Sequence, residues 1–528
     1  MKNNKITIIA IIVLLTIPYN TFAQGNALAN LLGSPLHKLL IAESAIKQLY
    51  VDSVSEQKLA EDAINGMLKE LDPHSVYTPA KDVKALTEPL EGQFEGIGIQ
   101  YNMVEDTLVV IQPVSNGPSE RKGIMAGDRI IFVNDTSIAG QKYTTQDIQH
   151  KLRGPKGTKV KLGVMRPGVK GIHDFIVIRD KIPVYSIDAK YMIDATTGYI
   201  RINNFGANTY DEFVSAIHML KDNGMEDLIL DLQGNGGGYL QAAVQISNEF
   251  LNAGDLIVYT EGRTTPRTNF KADGSGHMLT GKVIVLVDSY TASASEIVSG
   301  AIQDNDRGTI VGRRTFAKGL VQRQIDLPDG SLIRLTTAHY YSPSGRCIQK
   351  PYEKGKRADY DRDLISRLNS GELTNPDSIH FPDSLKYTTL KRKRTVYGGG
   401  GIMPDIYVPL DTTQTTPLHR ELLAKSCINN TNLKYADKNR KKLKKTYKTF
   451  EDFNTNFEVD DDMIDLLKQY ADKAKIQYTD STLNAALPLV KLQLKALLAR
   501  DLWDMNEYYT IINQANDIYK AGVKAVKE

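Results

Sequence analysis

Val283-Ile284-Val285-Leu286-Val287 runs directly into Asp288-Ser289-Tyr290-Thr291-Ala292-Ser293-Ala294-Ser295-Glu296, and apolar residues then recur at helical spacing to Ile302. Five β-branched or leucine residues without a polar interruption read as a strand buried on both faces. The segment is therefore strand, turn, helix, and it puts Ser293 at the turn, on the edge of a sheet. The unbonded amides of the helix's first turn point at the same place. They favour negative charge and can stabilise an oxyanion. Ser293 with Glu296 also spells the S-x-x-E capping box, which needs no catalysis. On this segment alone both readings stand.

Two neighbouring stretches carry further chemistry. Asp231-Leu232-Gln233-Gly234-Asn235-Gly236-Gly237-Gly238-Tyr239 lies between a buried strand and a helix. Its glycines let backbone amides approach a ligand. The P-loop lysine is absent and G-x-G-x-x-G is not matched, so an oxyanion or substrate-backbone site fits better than a phosphate site. Downstream stands Phe316-Ala317-Lys318-Gly319-Leu320-Val321-Gln322. Lysine serves as a base near neutral pH only when its pKa is lowered, and apolar neighbours lower it by desolvation. Gln322, four positions on, faces the same side as Lys318 in helix or strand and could hold the amine. An ordinary surface lysine is the competing reading.

Working outward, strands alternate with helices from about 181 to 350. Ile200–Ile202, Leu228–Leu232 and Val283–Val287 are expected strands; Tyr210–Lys221, Leu240–Leu251 and Ser295–Gln303 are expected helices. Such alternation predicts a helix-covered sheet. From Gly92 to about Asp180 short apolar strands and glycine turns predict a small mixed β domain, with Ile97–Tyr101 as one strand. Residues 34–90 read as helical. Residues 352–395 read as an irregular polar insertion, and Gly398–Leu410 returns to a strand pattern. The last hundred or so residues read as charged helices, with Lys438–Lys445 as a solvated helix face.

Composition excludes little but is orderly. The 528 residues are 41% hydrophobic and 24% charged, with a net charge of +3, so nothing global points to nucleic acid. Cys347 and Cys427 cannot make a disulfide framework; one bridge between them is left open. No H-E-x-x-H, G-x-S-x-G or cysteine/histidine cluster suggests a metal or a hydrolase elbow. At the N-terminus, Lys2 and Lys5, the apolar run Ile6–Ile17 and Thr21-Phe22-Ala23 have the layout of a secretory leader cut after Ala23. Export to the periplasm is the expectation, with an uncleaved anchor and membrane association as the alternative.

Together these segments resemble the carboxy-terminal processing (tail-specific) protease family, over roughly residues 66 to 410. Leu71-Asp72-Pro73-His74-Ser75 and Gly92-Gln93-Phe94-Glu95-Gly96-Ile97-Gly98 are similar to the family's approach to its PDZ domain. Gly117-Pro118-Ser119 through Gly123-Ile124-Met125-Ala126-Gly127-Asp128-Arg129-Ile130 and Leu152-Arg153-Gly154-Pro155-Lys156-Gly157-Thr158 are similar to PDZ motifs. The family's lysine follows its serine by 25 residues, as Lys318 follows Ser293 (318 − 293 = 25), and its glutamine comes four later, as Gln322 does. Thr336-Thr337-Ala338-His339-Tyr340-Tyr341-Ser342-Pro343-Ser344-Gly345-Arg346 and Gly399-Gly400-Gly401-Ile402-Met403-Pro404-Asp405 extend the match. Departures are Thr291 for serine, Gln233 for arginine, Gly236 for proline and His339 for lysine or arginine.

The resemblance implies a multidomain α/β and β protein: a PDZ domain plus a Clp/crotonase-like sheet-and-helix serine protease core, with helical N- and C-terminal regions. The segments are then a leader (1–23), a helical region (24–90), PDZ (91–180), the protease core (181–410) and C-terminal helices (411–528). It implies a serine endopeptidase with Ser293 as nucleophile, Lys318 as base and Gln322 as orienting residue, needing no cofactor. Ala294 with Gly237 or Gly238 would hold the oxyanion. Gly96-Ile97-Gly98-Ile99 would bind the apolar C-terminus of a protein or peptide substrate, and Arg153 would couple that binding to catalysis. Membrane proximity, a homo-oligomer and an adaptor protein are left open. A catalytically inactive PDZ adaptor or chaperone and a crotonase-like acyl-CoA enzyme are the alternatives.

Overall fold

The computed structural model describes residues 35–413 and 415–528; the expected leader lies outside them. Three helices begin the described chain, Pro35–Leu49, Glu56–Lys69 and Ala80–Glu91, with the short strand Val76–Thr78 between the last two. The helical expectation for 34–90 thus holds apart from that strand.

Strand Gln93–Gly96 pairs antiparallel with Asp180–Pro183, so the chain enters and leaves the next domain through a two-stranded ribbon. Between them lies a six-stranded antiparallel sheet. Val160, Leu162 and Val164 alternate inward with no exposed area, as do Leu108 and Val110, because successive side chains of a strand face opposite sides. Their core is closed by Ile148 and Leu152 of helix Thr145–Leu152. The expected continuous strand Ile97–Tyr101 is broken instead: Gly98 has φ 70°, and the strand proper is Ile99–Val104. That strand is an edge, paired on one side only, to Thr107–Pro113.

The second domain is built on a six-stranded sheet in the order Ile187–Met192, Thr197–Ile202, Asp227–Asp231, Val283–Val287, Thr309–Gly312, Ile406–Tyr407. All neighbours except the first pair are parallel. Every residue of Val283–Val287 is buried, as a central parallel strand requires. Val283, Val285 and Val287 face one core, shared with helices Thr209–Asp222, Leu240–Asn248 and Ala294–Asp304. Ile284 and Leu286 face the other, and Ile518 and Val526 of helix Asp517–Lys527 cover them there. Helix Asp517–Lys527 therefore covers the second face of this sheet.

A five-stranded antiparallel sheet lies beside this one, including the hairpin Leu320–Asp326/Leu332–Tyr341. The segment 352–395 is not structureless: it holds helices Arg357–Asp361 and Asp363–Asn369 and the small hairpin Lys386–Thr388/Thr395–Tyr397. Arg314 and Arg367 clamp it through Glu372, at 2.6 Å each. Only Ile406–Tyr407 of the stretch 398–410 is a strand, since Gly399 and Gly401 take positive φ. Helices from Pro417 to Leu502 form a separate core around Phe453, Val490 and Leu494. That region also reaches the first domain, where Asp437 pairs with Arg129 and Lys434 with Glu105. The Lys438–Lys445 run is mostly solvated, with Leu443 buried on its inner side. Cys347 and Cys427 are both free thiols, so the bridge left open in the sequence is absent. Among the described residues no helix is long and apolar enough to cross a membrane.

Candidate active site

Ser293 closes the turn after the central strand, with φ 56° and ψ −113°. A side chain at positive φ is strained, and such strain persists where the surroundings over-determine it. The helix that follows starts at Ala294. The amides of Ser295, Glu296 and Ile297 bond to the carbonyls of Ala292 and Ser293. Among the described residues that leaves Ala294 as the first-turn amide without a partner.

Glu296 resolves the capping question. Its buried carboxylate accepts from the Ser293 amide at 2.9 Å, but the Glu296 amide bonds to the Ser293 carbonyl and not to its hydroxyl. The hydroxyl is thereby left for other work. The same carboxylate accepts from the Ala317 amide and the Lys318 amide, both at 2.8 Å, and from the Thr315 hydroxyl. Burial pushes its pKa up, and these four donors pull against it. One carboxylate thus fastens the serine turn to the lysine loop. Tyr340 makes a second bridge, donating its hydroxyl to the Ser293 carbonyl at 3.1 Å and the Lys318 carbonyl at 2.7 Å.

Lys318 lies just before strand Leu320–Asp326. Its Nζ donates to Gln322 Oε1 at 3.0 Å, and Gln322 Nε2 donates to the His74 carbonyl at 2.5 Å. The His74 bond fixes which end of the Gln322 amide faces the lysine. Burial chiefly, and then the Arg334 cation, hold the Lys318 pKa down to about 8, against Glu296 and Asp72. His74 is lowered further, to about 3, by burial and then by Lys318, so it is neutral beside the lysine.

The glycine loop packs against the serine turn through Asn235, which is fully buried. Its carbonyl accepts from the Ala292 amide at 2.9 Å and the Ser295 hydroxyl at 3.1 Å. Its Oδ1 accepts from the Gly237 amide at 2.8 Å. That bond occupies the Gly237 N–H and corrects the expectation that Gly237 could serve the oxyanion. The Gly238 amide has no partner among the described residues, and Gly238 lines the same cleft as Ala294. Gly237 is nonetheless indispensable as glycine: at φ 99° a Cβ would lie 2.8 Å from Ser293 Cβ and 2.9 Å from the Ala294 nitrogen.

Ser293, Ala294, Gly238, Lys318 and Gln322 line one cleft of about 390 Å³, whose apolar wall includes Leu86 and Leu90 of helix Ala80–Glu91, Ile297 and Leu320. Sequence reasoning gave no place in the site to this helix, Arg334, Tyr340 or the His74 carbonyl. The signals were the family motifs Leu71–Ser75, which contains His74, and Thr336–Arg346, which contains Tyr340. Two departures from the family pattern have structural partners. Thr291 donates its hydroxyl to the Leu232 carbonyl at 2.9 Å, a bond serine could also make. Gln233 accepts at Oε1 from Asn516 of the C-terminal region, 3.3 Å away.

In the first domain, Ile97 is not a docking side chain: it is 2% exposed, in the domain core, and its carbonyl accepts from the Ser119 amide and hydroxyl. Gly96 ends the ribbon and Ile99 opens the edge strand. Arg153 stacks its guanidinium on Phe94, 4.6 Å from the ring centre, and forms an ion pair with Glu88. Glu88 belongs to the helix whose Leu86 and Leu90 wall the cleft.

Residues 196–361 match peptidase family S41, residues 96–171 the PDZ domain, and residues 19–82 the N-terminal domain of the activating protease CtpB. Residues 418–504 match a family of unknown function. A carboxy-terminal-processing protease of Bartonella bacilliformis is 38% identical over 310 residues, 58% of this chain and 70% of that protein. The carboxy-terminal processing protease CtpA of Bacillus subtilis is 34% identical over 358 residues, 67% of this chain and 76% of the relative. The solved photosystem II D1 C-terminal processing protease aligns at 25% identity and a TM-score of 0.36, over 72% of this chain and 88% of that one. With a PDZ domain and an S41 core in that order, the chain belongs to the carboxy-terminal processing proteases and is a serine-type peptidase.

Proposed function

We propose that Ser293 is the nucleophile and Lys318 the general base of an endopeptidase that cleaves proteins near their C-termini. The observation that carries this is the Lys318–Gln322 pair, whose amine has its pKa lowered to about 8 and shares a cleft with a strained serine whose side chain makes no cap hydrogen bond. Neutral Lys318 takes the Ser293 Oγ proton while Oγ bonds to the scissile carbonyl carbon. The Ala294 and Gly238 amides hold the oxyanion. As the tetrahedral species collapses, Lys318 returns its proton to the departing amine, leaving an acyl-serine. Water, deprotonated by Lys318, then releases the acid. Gln322, held by His74, keeps Nζ aimed. Below about pH 8 the lysine is protonated and has no lone pair, so activity falls as pH falls.

The PDZ domain selects the substrate. Edge strand Ile99–Val104 can take an added strand, and the Ile97–Gly98 break presents amides to a terminal carboxylate. Helix Thr145–Leu152 stands beside that strand, as the 3.3 Å bond from the Tyr101 hydroxyl to the Thr145 carbonyl indicates. Tail binding acts on the cleft through Arg153, Glu88 and helix Ala80–Glu91. The leader-like segment directs the chain out of the cytoplasm, with the mature form starting near Gln24.

The test compares turnover of one peptide with a free apolar C-terminus, an amidated one and an acidic one, by the wild type and by Ser293→Ala and Lys318→Ala. The reading expects the first substrate to be cleaved best and both variants to be inactive. Equal rates on the three peptides would remove the PDZ part, and a turning-over Ser293→Ala enzyme would remove the catalytic part.

A further inference from the structure

The catalytic cleft contains a cation that takes no bond or proton in the serine–lysine chemistry. Arg334 lines the cleft with Lys318, Gln322 and Gln324, and no aspartate or glutamate is among the cleft's described lining residues. No ion pair engages Arg334 among the described residues, and its Nε is buried without a hydrogen-bond partner. The charged group that acts on it is a second cation, Arg357. Removing a cation from water without a counter-ion is unfavourable, so proteins pair or hydrogen-bond the charges they bury. An unpaired guanidinium inside a binding cleft asks for an acceptor carried by the ligand.

The ladder fixes where that acceptor must be. On the Leu320–Asp326/Leu332–Tyr341 hairpin, Gln322 stands opposite Thr336, and Gln324 opposite Arg334. Directly opposed residues share a face, so Arg334 lies on the face of Gln322, one same-face step further from the catalytic pair. That step is about 7 Å, the rise of two strand residues. An extended peptide threading the cleft advances at the same rate, so its matching group is about two or three residues from the scissile bond.

We propose that Arg334 is a specificity-determining residue that receives a carboxylate of the bound peptide, two or three residues from the bond that is cut. The inference rests on the cleft assignment made above and adds to it a preference that neither an apolar tail nor the serine–lysine pair supplies. Arginine suits the task, since its planar fork pairs with a carboxylate through two parallel bonds. The same charge bears on the base. Arg334 is the second cause, after burial, of the lowered Lys318 pKa, whereas Glu296 and Asp72 act in the opposite sense and Gln322 is neutral. A substrate carboxylate that neutralises Arg334 lets the Lys318 pKa climb.

The experiment scans a single glutamate through each position within four residues of the cleavage site of an otherwise neutral peptide with a free apolar tail. Glutamine at the same positions is the control. A second series ends the neutral peptide at each of those positions, so that the α-carboxylate supplies the charge. The enzymes are wild type, R334K, R334Q and R334E, each first checked for reaction of Ser293 with a fluorophosphonate. The expectation is a kcat/KM gain of roughly tenfold or more at one position, carried mainly by KM, as one charge-assisted hydrogen bond supplies. R334K should keep part of the gain, R334Q should lose it, and R334E should prefer lysine at that position. R334Q should also move the acid limb of the pH profile to higher pH. The source of the charge is read from the series that shows the gain. A wild type that labels at Ser293 but has no Arg334-dependent preference in either series overturns the inference and leaves the protease reading intact. Failure of the wild type to label would instead refute the reading on which it rests.

Discussion

Thr144 and Ser293 begin helices with the same four-residue spelling, T-x-x-D and S-x-x-E, and their hydroxyls do different things. Thr144 sits at φ −71° and ψ 162°, its Oγ1 accepts from the Asp147 amide at 3.2 Å, and Asp147 returns the bond to the Thr144 amide at 2.9 Å. Ser293 sits at φ 56°, its side chain makes no cap hydrogen bond, and its own amide donates to Glu296 at 2.9 Å. The carboxylate three residues on differs too. Asp147 is solvent-facing and serves its own turn, whereas Glu296 is 1% exposed and also ties down the Thr315–Lys318 loop. The two hydroxyls therefore stand on backbones that differ in the sign of φ, which the spelling does not carry.

Glycine sharpens the contrast most. Ser293→Ala and Ser293→Gly should each lower peptide turnover by roughly four orders of magnitude or more, as losing a member of a catalytic unit does. Ser293→Gly should at the same time stabilise the fold by ~1 kcal/mol, because glycine removes the positive-φ strain. Calorimetry with turnover assays reads both effects. A destabilised, still active Ser293→Gly enzyme would return this serine to the capping class.

Next in size is Glu296→Gln. An amide in place of the carboxylate turns one acceptor into a donor amid four donors, so a buried bond is lost and two hydrogens face each other. The expected cost is about 2–3 kcal/mol of stability with a fall in kcat, since both Ser293 and Lys318 lose an anchor. Asp147→Asn, the matching change in the solvated box, should leave kcat untouched. Equal kcat values for the two variants would mean that Glu296 acts as a cap alone.

Much of this site was legible because the chemistry falls on short motifs. The Val283–Ile302 segment declared strand, turn and helix, and the serine–lysine–glutamine spacing survived into one cleft. What sequence could not give was carried by distance. Arg334 is an unremarkable residue of an amphipathic strand until pairing sets it opposite Gln324. The His74 carbonyl is a backbone atom, which no residue type announces. Helix Asp517–Lys527 offered no motif because covering Ile284 and Leu286 is something any apolar helix face can do. Gly237 was read correctly as a close approach, but its amide's engagement with Asn235 depends on a side-chain rotation that spacing does not encode.

The proton inventory gives a third way to probe the contrast. With Lys318 as the proposed base, kcat/KM should rise with pH to a midpoint near 8. Gln322→Ala should cost roughly 10–100-fold and leave an acid limb, because it frees the amine without removing it. His74 adds a stability signature of the depressed-base kind. Its folded pKa is about 3 against 6.5 unfolded. The unfolded chain therefore takes up a proton that the native state refuses, and stability falls as pH drops from about 6.5 toward 3. Thermal melts across that range, compared with His74→Phe, isolate the term. An unchanged acid slope in the variant would show that His74 is not buried neutral.

The smallest effect belongs to the true cap. Thr144→Ala removes one satisfied amide at the start of helix Thr145–Leu152, worth ~1 kcal/mol. The helix buries Ile148 and Leu152 in the PDZ core, so the domain should stay folded while its first turn frays. The Tyr101 hydroxyl of the edge strand donates to the Thr145 carbonyl, and fraying loosens that contact. If the edge strand reads substrate tails, the loss should appear in KM for peptides with free apolar ends. Amidated peptides, which gain nothing from that strand, should be unaffected. Neither kcat nor the pH midpoint should move, because no bond from Thr144 reaches the cleft. Progress curves over a range of concentrations of both peptides separate these terms. A kcat effect equal on the two substrates would show that the PDZ helix acts on the chemistry directly, and the division of labour between the two hydroxyls would fail.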